Sequence, residues 1–104
     1  MIKNCTPHVI RLNDGSEFQP CGVIPRVMEK YSEWEIKDTV PVCKIDTGDV
    51  VGLPEEDDIT VLIVSSKVFD ACPDRKDLIT PLTNHPAAVR KDGQPYSVPG
   101  FRRH

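Results

Sequence analysis

No apolar stretch in this chain approaches the roughly 18 residues that a membrane-spanning helix needs. The opening residues, Met1-Ile2-Lys3-Asn4, hold no apolar h-region, so no signal peptide and no membrane partner are expected. No two cysteines are spaced C-x-x-C, and no neighbouring histidine supplies a recognised zinc spacing, so neither a metal nor a cofactor is expected. An excess of positive charge is missing as well. Thirteen Lys and Arg face 16 Asp and Glu, a formal net charge of −3. Nucleic-acid binders draw affinity from neutralised phosphates, so this balance argues against that class. Aromatic residues make up only 6% of the chain, too few to stack several bases. Without an export signal, Cys5, Cys21, Cys43 and Cys72 are expected as reduced, semi-buried thiols.

Breaks, by contrast, are plentiful. Ten prolines and six glycines interrupt 104 residues, which suits short strands and turns in one domain spanning residues 1–104. His8-Val9-Ile10-Arg11-Leu12 alternates, and Asn13-Asp14-Gly15-Ser16 is a turn returning the chain toward Phe18. Gly22 to Met28 reads as a strand whose Pro25 suits an edge or bulge. Glu33 to Lys37 alternates and predicts Trp34 and Ile36 packed inward. Val40 to Ile45 is a further strand, turned by Asp46-Thr47-Gly48-Asp49. Ile59 to Val64 is the longest apolar run, expected as a central strand covered on both faces. A short helix, Ser66 to Cys72, should set Val68, Phe69 and Cys72 against the sheet before Pro73 closes it. Asp74 to His85 looks irregular. Ala87 to Arg90 and Tyr96 to Val98 flank a plausible hairpin at Lys91 to Pro95. The expected fold is α+β: a small, bent, mainly antiparallel sheet or partly closed barrel with one short helix.

Several motifs together resemble a group of small phage, prophage and bacterial proteins that begin Asn-x-Thr-Pro-His. Here that start is Asn4-Cys5-Thr6-Pro7-His8. The resemblance continues in Gly52-Leu53-Pro54, Val64-Ser65, Pro73-x-Arg75, Asp77-Leu78, Ala88-Val89-Arg90, Asp92-Gly93 and Val98-x-Gly100-Phe101. It implies a compact domain of phage-associated origin in the host-cell cytoplasm. It supplies no catalytic residue.

The residues offer three kinds of site. Asp46-Thr47-Gly48 matches the Asp-Thr-Gly of aspartic proteases, whose two aspartates, one per subunit of a homodimer, activate water. Asp49 and the lack of a bracing apolar-apolar-Gly stretch speak against it, and turn chemistry accounts for the same residues. The acidic run Pro54 to Asp58 lacks the spacing and turn glycine of a calcium loop. The third is the strand-to-helix junction. Ser65 and Ser66 would donate beside the helix N-terminus, and Arg90, or else Arg75, would clamp a phosphate or carboxylate. His8 and Thr6 would stand at the rim. The plainer alternative is a serine that caps the helix, with the arginines on the surface.

The expected function is therefore non-enzymatic binding. A small anionic, nucleotide-like ligand captured by a counter-defence protein comes first. A protein–protein inhibitor or virion accessory, with a host or phage protein as partner, is the alternative. An aspartic-protease-like homodimer stands third.

Overall fold

The computed structural model describes all 104 residues. Along the chain run β1 (Ile2–Asn4), β2 (Ile10–Arg11), β3 (Glu17–Phe18), β4 (Arg26–Tyr31), β5 (Glu35–Lys37), β6 (Val40–Val42) and β7 (Ile45–Val51). Then follow β8 (Val61–Ile63), α1 (Ser66–Ala71), β9 (Leu78–Pro81), β10 (Val89–Lys91), β11 (Gln94–Ser97) and β12 (Phe101–Arg103).

The apolar run around Leu62 does form the centre. One four-stranded sheet has the order β1-β8-β9-β12. β8 pairs in parallel with β1 on one side and with β9 on the other. The helix supplies the crossover that a parallel β8–β9 pair requires. β12 closes the far side antiparallel to β9. Leu62, Ile63 and Val64 are 2%, 0% and 0% exposed. Leu62 and Val64 join Cys5, Val68, Phe69 and Leu78 in one cluster, with Val27, Val50, Leu53 and Cys72 packed against it. Ile63 lies on the alternate face and is enclosed too.

The helix is short because its ends are fixed locally. Ser65 caps it, its hydroxyl accepting from the Val68 N–H at 3.3 Å. At the other end the Cys72 N–H returns to the Phe69 carbonyl, and Pro73 cannot continue the helix. No helix in the molecule is long and apolar enough to cross a membrane.

Four two-stranded ribbons surround the sheet: β2-β3, β4-β7, β5-β6 and β10-β11. Two of them join end to end. β5-β6 lies between β4 and β7 in sequence, so residues 26–51 form one arm. Its base packs on α1 and its tip turns at Asp38-Thr39. The radius of gyration, 16.4 Å, exceeds the ~13 Å of a compact chain this long.

Several expectations are corrected here. The strands do not make one bent sheet, nothing closes into a barrel, and the central sheet is mixed rather than mainly antiparallel. Trp34 and Ile36 are 71% and 69% exposed, because a two-stranded ribbon offers no second layer to bury alternating residues. Asp46-Thr47-Gly48 lies inside β7, with Asp46 opposite Lys30, rather than in a turn. The segment Asp74 to His85 contains β9, a core strand carrying buried Leu78 and Thr80. The strand expected at Gly22 to Met28 begins at Arg26 and runs to Tyr31.

Candidate functional site

The N-terminal motif is a structural knot. Asn4 is buried where β1 ends, and its amide uses its full hydrogen-bonding capacity. Nδ2 donates to the His8 carbonyl at 2.7 Å and to the Phe18 carbonyl at 2.9 Å. Oδ1 accepts from the Thr6 N–H at 3.0 Å and from the Thr6 hydroxyl at 2.6 Å. The Thr6 hydroxyl is therefore committed to the fold. His8 itself is exposed and lines a different cavity, beside Arg11, Gln94 and Tyr96.

The proposed anion residues are dispersed. Thr6 and Ser65 do line one cavity of about 310 Å³, with Arg26 and Lys67. Neither Arg90 nor His8 reaches its walls. Lys67 pairs with Glu29 of β4, and Ser65 is occupied as the cap. Ser66, the first helical residue, is exposed. Arg90 stands on β10, its guanidinium 3.4 Å from the Asn84 side-chain oxygen. Arg75 makes a two-pronged pair with buried Asp77, at 2.9 and 2.8 Å, and also donates to the Pro54 carbonyl at 2.8 Å. That bond to Asp77 raises the affinity of Arg75 for its proton. Arg75 thus fastens the loop before β8 to the start of β9.

The arm is the feature that a site search from motifs misses. Val27 and Val50 face each other at its base and pack on the core. Beyond them β7 accommodates an extra residue near Gly48, whose added Cβ would lie 3.6 Å from the Met28 carbonyl. Further out, Tyr31 stands opposite Ile45. Ser32 and Lys44 carry the pairing across the join. The Ser32 N–H donates to the Lys44 carbonyl at 2.9 Å, and the Lys44 N–H donates to the Ser32 hydroxyl at 2.8 Å. Ile36 then stands opposite Pro41, and Lys37 opposite Val40. The two-residue turn has φ of 46° at Asp38 and 69° at Thr39, the positive values of the tightest hairpin connection.

The arm's outer half carries Tyr31, Trp34, Ile36, Val40 and Ile45, all exposed. Glu33, Glu35 and Lys37 alternate with Trp34 and Ile36 along the sequence. Each outer edge of a two-stranded ribbon also leaves backbone N–H and C=O groups unpaired. The sequence holds the signal for this surface, the alternation over Glu33 to Lys37. That signal marks an apolar face without saying what covers it. No protein-family model, curated protein or solved structure compared with this chain matches it.

Proposed function

We propose that this chain is a non-enzymatic protein-interaction protein and that the arm, residues 26–51, is the element that docks. The observation that carries this reading is the concentration of exposed large apolar side chains in the arm's outer half. Exposed large apolar side chains gathered on one element, unlike single scattered ones, are a mark of interaction surfaces. Burying Tyr31, Trp34, Ile36 and Ile45 would contribute roughly 6–12 kcal/mol, at about 1.5–3 kcal/mol each. Association costs about 4–15 kcal/mol. The two ranges overlap, so the side chains alone do not secure association, and backbone pairing along the arm's free edges adds to them, as in strand addition. The charged residues beside Trp34 and Ile36 select which partner is accepted. The resemblance of the N-terminal motif to phage proteins favours a host or phage protein as that partner.

Capture of a small anionic ligand is the weaker reading. Arg75 already pairs with Asp77, and Arg90 is absent from the cavity that Thr6 and Ser65 share.

Gel filtration of extracts from producing cells tests the proposal. The wild-type chain should elute above its 11.6 kDa monomer mass. A Trp34→Ser, Ile36→Ser double variant, equally stable, should elute as the monomer. A wild-type chain that elutes as a monomer, or a double variant that keeps the larger complex, contradicts the reading.

A further inference from the structure

Cys5 directly follows β1, and Cys21 enters the stretch that leads to the arm. The chain brings these two places together in parallel. Asn4 is bridged to Pro20, and the Cys21 N–H donates to the Asn4 carbonyl at 2.8 Å. Paired backbones lie about 4.8 Å apart, within the Cα separation that a disulfide spans. The two sulfurs are 3.6 Å apart. Closing that gap to a bond of about 2.05 Å needs only a small rotation of the side chains. Both cysteines line one cavity of about 290 Å³, which Lys3 shares. Cys5 is buried and Cys21 is exposed, whereas Cys43 and Cys72 are half-buried with no sulfur beside them.

We propose that Cys5 and Cys21 form a redox-active dithiol whose reactant is a low-molecular-weight disulfide. The Cys21 thiolate attacks one sulfur of that disulfide. The reactant's S–S bond breaks, a mixed disulfide forms at Cys21, and one small thiol leaves. Cys5 then gives up its proton and attacks the Cys21 sulfur. The second small thiol leaves and the Cys5–Cys21 bond remains. Two electrons and two protons pass from the protein to the small disulfide, which departs as two thiols.

The order of attack follows from access. Cys21 meets the reactant, while the Cys5 thiol is pushed from an ordinary 9.0 up to about 11, first by burial and then by Cys21. The Lys3 ammonium works in the opposite direction and favours the Cys5 thiolate. Closure is cheap in geometry, because the Asn4 amide already ties its own strand to the Phe18 carbonyl near Cys21. The bond fastens β1 to the segment entering the arm.

The test is treatment of the intact chain with oxidised glutathione at neutral pH, followed by peptide mapping without reductant. The expected product has lost two hydrogens, carries a Cys5–Cys21 cross-link, and still has Cys43 and Cys72 open to alkylation. Its melting temperature should rise by about 5 °C or more, as expected for closing a loop of this length. Cys21→Ser should form neither the cross-link nor an adduct at Cys5, and Cys5→Ser should stop at a stable glutathione adduct on Cys21. A wild-type chain that accumulates the Cys21 adduct without closing overturns the proposal, as does a cross-link through Cys43 or Cys72. The wild-type map decides the question even if the buried Cys5→Ser variant fails to fold.

Discussion

Thr6 donates its hydroxyl to the Asn4 side-chain oxygen at 2.6 Å, and its own N–H reaches the same oxygen at 3.0 Å. The pair closes a unit in which Asn4 also holds the His8 and Phe18 carbonyls. Within the Asn4-Cys5-Thr6-Pro7-His8 motif, the Asn4 and Thr6 side chains therefore build the fold.

Asn4→Ala removes the acceptor of the buried Thr6 N–H and the side-chain donor to the Phe18 carbonyl, while the Thr6 hydroxyl and the His8 carbonyl still pair with each other at 3.1 Å. Each buried group left unsatisfied costs about 1–3 kcal/mol, so the variant should lose about 3 kcal/mol or more. Urea denaturation measures this directly. A loss below 1 kcal/mol would place the motif's role elsewhere.

Leu62 is 2% exposed, flanked by β1 and β9, and belongs to the core cluster under α1. Leu62→Ala should cost about 2–5 kcal/mol, the range for emptying an enclosed leucine site. An unchanged melting curve would show that the central sheet is not where stability resides.

Asp57 gives a pH dependence. Its carboxylate accepts from the Ile59 and Thr60 N–H groups and from the Thr60 hydroxyl, and these bonds hold it below the ordinary carboxylate range, 3.8. A carboxyl depressed in the folded state contributes stability above its unfolded value, and that contribution disappears as pH falls through the folded value. Stability should therefore drop as the solution is acidified below about pH 4. Asp57→Asn should flatten that part of the profile. Because the group is exposed, the effect is small, and it is visible in the slope of melting temperature against pH. An identical acid limb in wild type and variant would remove Asp57 from the account. Asp14, held down by the Ser16 N–H and side chain, adds a limb of the same sign.

What the sequence made legible was local. The composition of Ile59 to Val64 announced a covered strand, which forms at Val61–Ile63 and leaves Ile59 70% exposed outside it, and the Ser65-Ser66 pair announced a cap, which Ser65 supplies. Asp92-Gly93 turns the last ribbon where a hairpin was expected, with φ of 52° and 78°. Features that depend on distant pairing stayed hidden. β9 is a four-residue strand ending in Pro81, and only β8 and β12 on its two sides make it a core strand. Asp46-Thr47-Gly48 has turn composition, yet pairing with β4 keeps it extended, and the irregularity falls near Gly48. Trp34 and Ile36 alternate as buried strand residues do, but alternation cannot say whether a second layer exists. Cys5 and Cys21 meet only because Asn4 pairs with Pro20. The expected anion site needed the strand of Arg90 to neighbour Ile59 to Val64, whereas β10 pairs with β11 in a separate ribbon.

The arm's role as a docking element has one direct measurement. A photo-crosslinking side chain is placed at Ile36, near the arm's tip, and separately at Asp58, exposed in the acidic loop. Both variants are irradiated in the producing cells. The account predicts a discrete, higher-mass adduct from Ile36 and none from Asp58. No adduct at Ile36, or the same adduct from both positions, would contradict it.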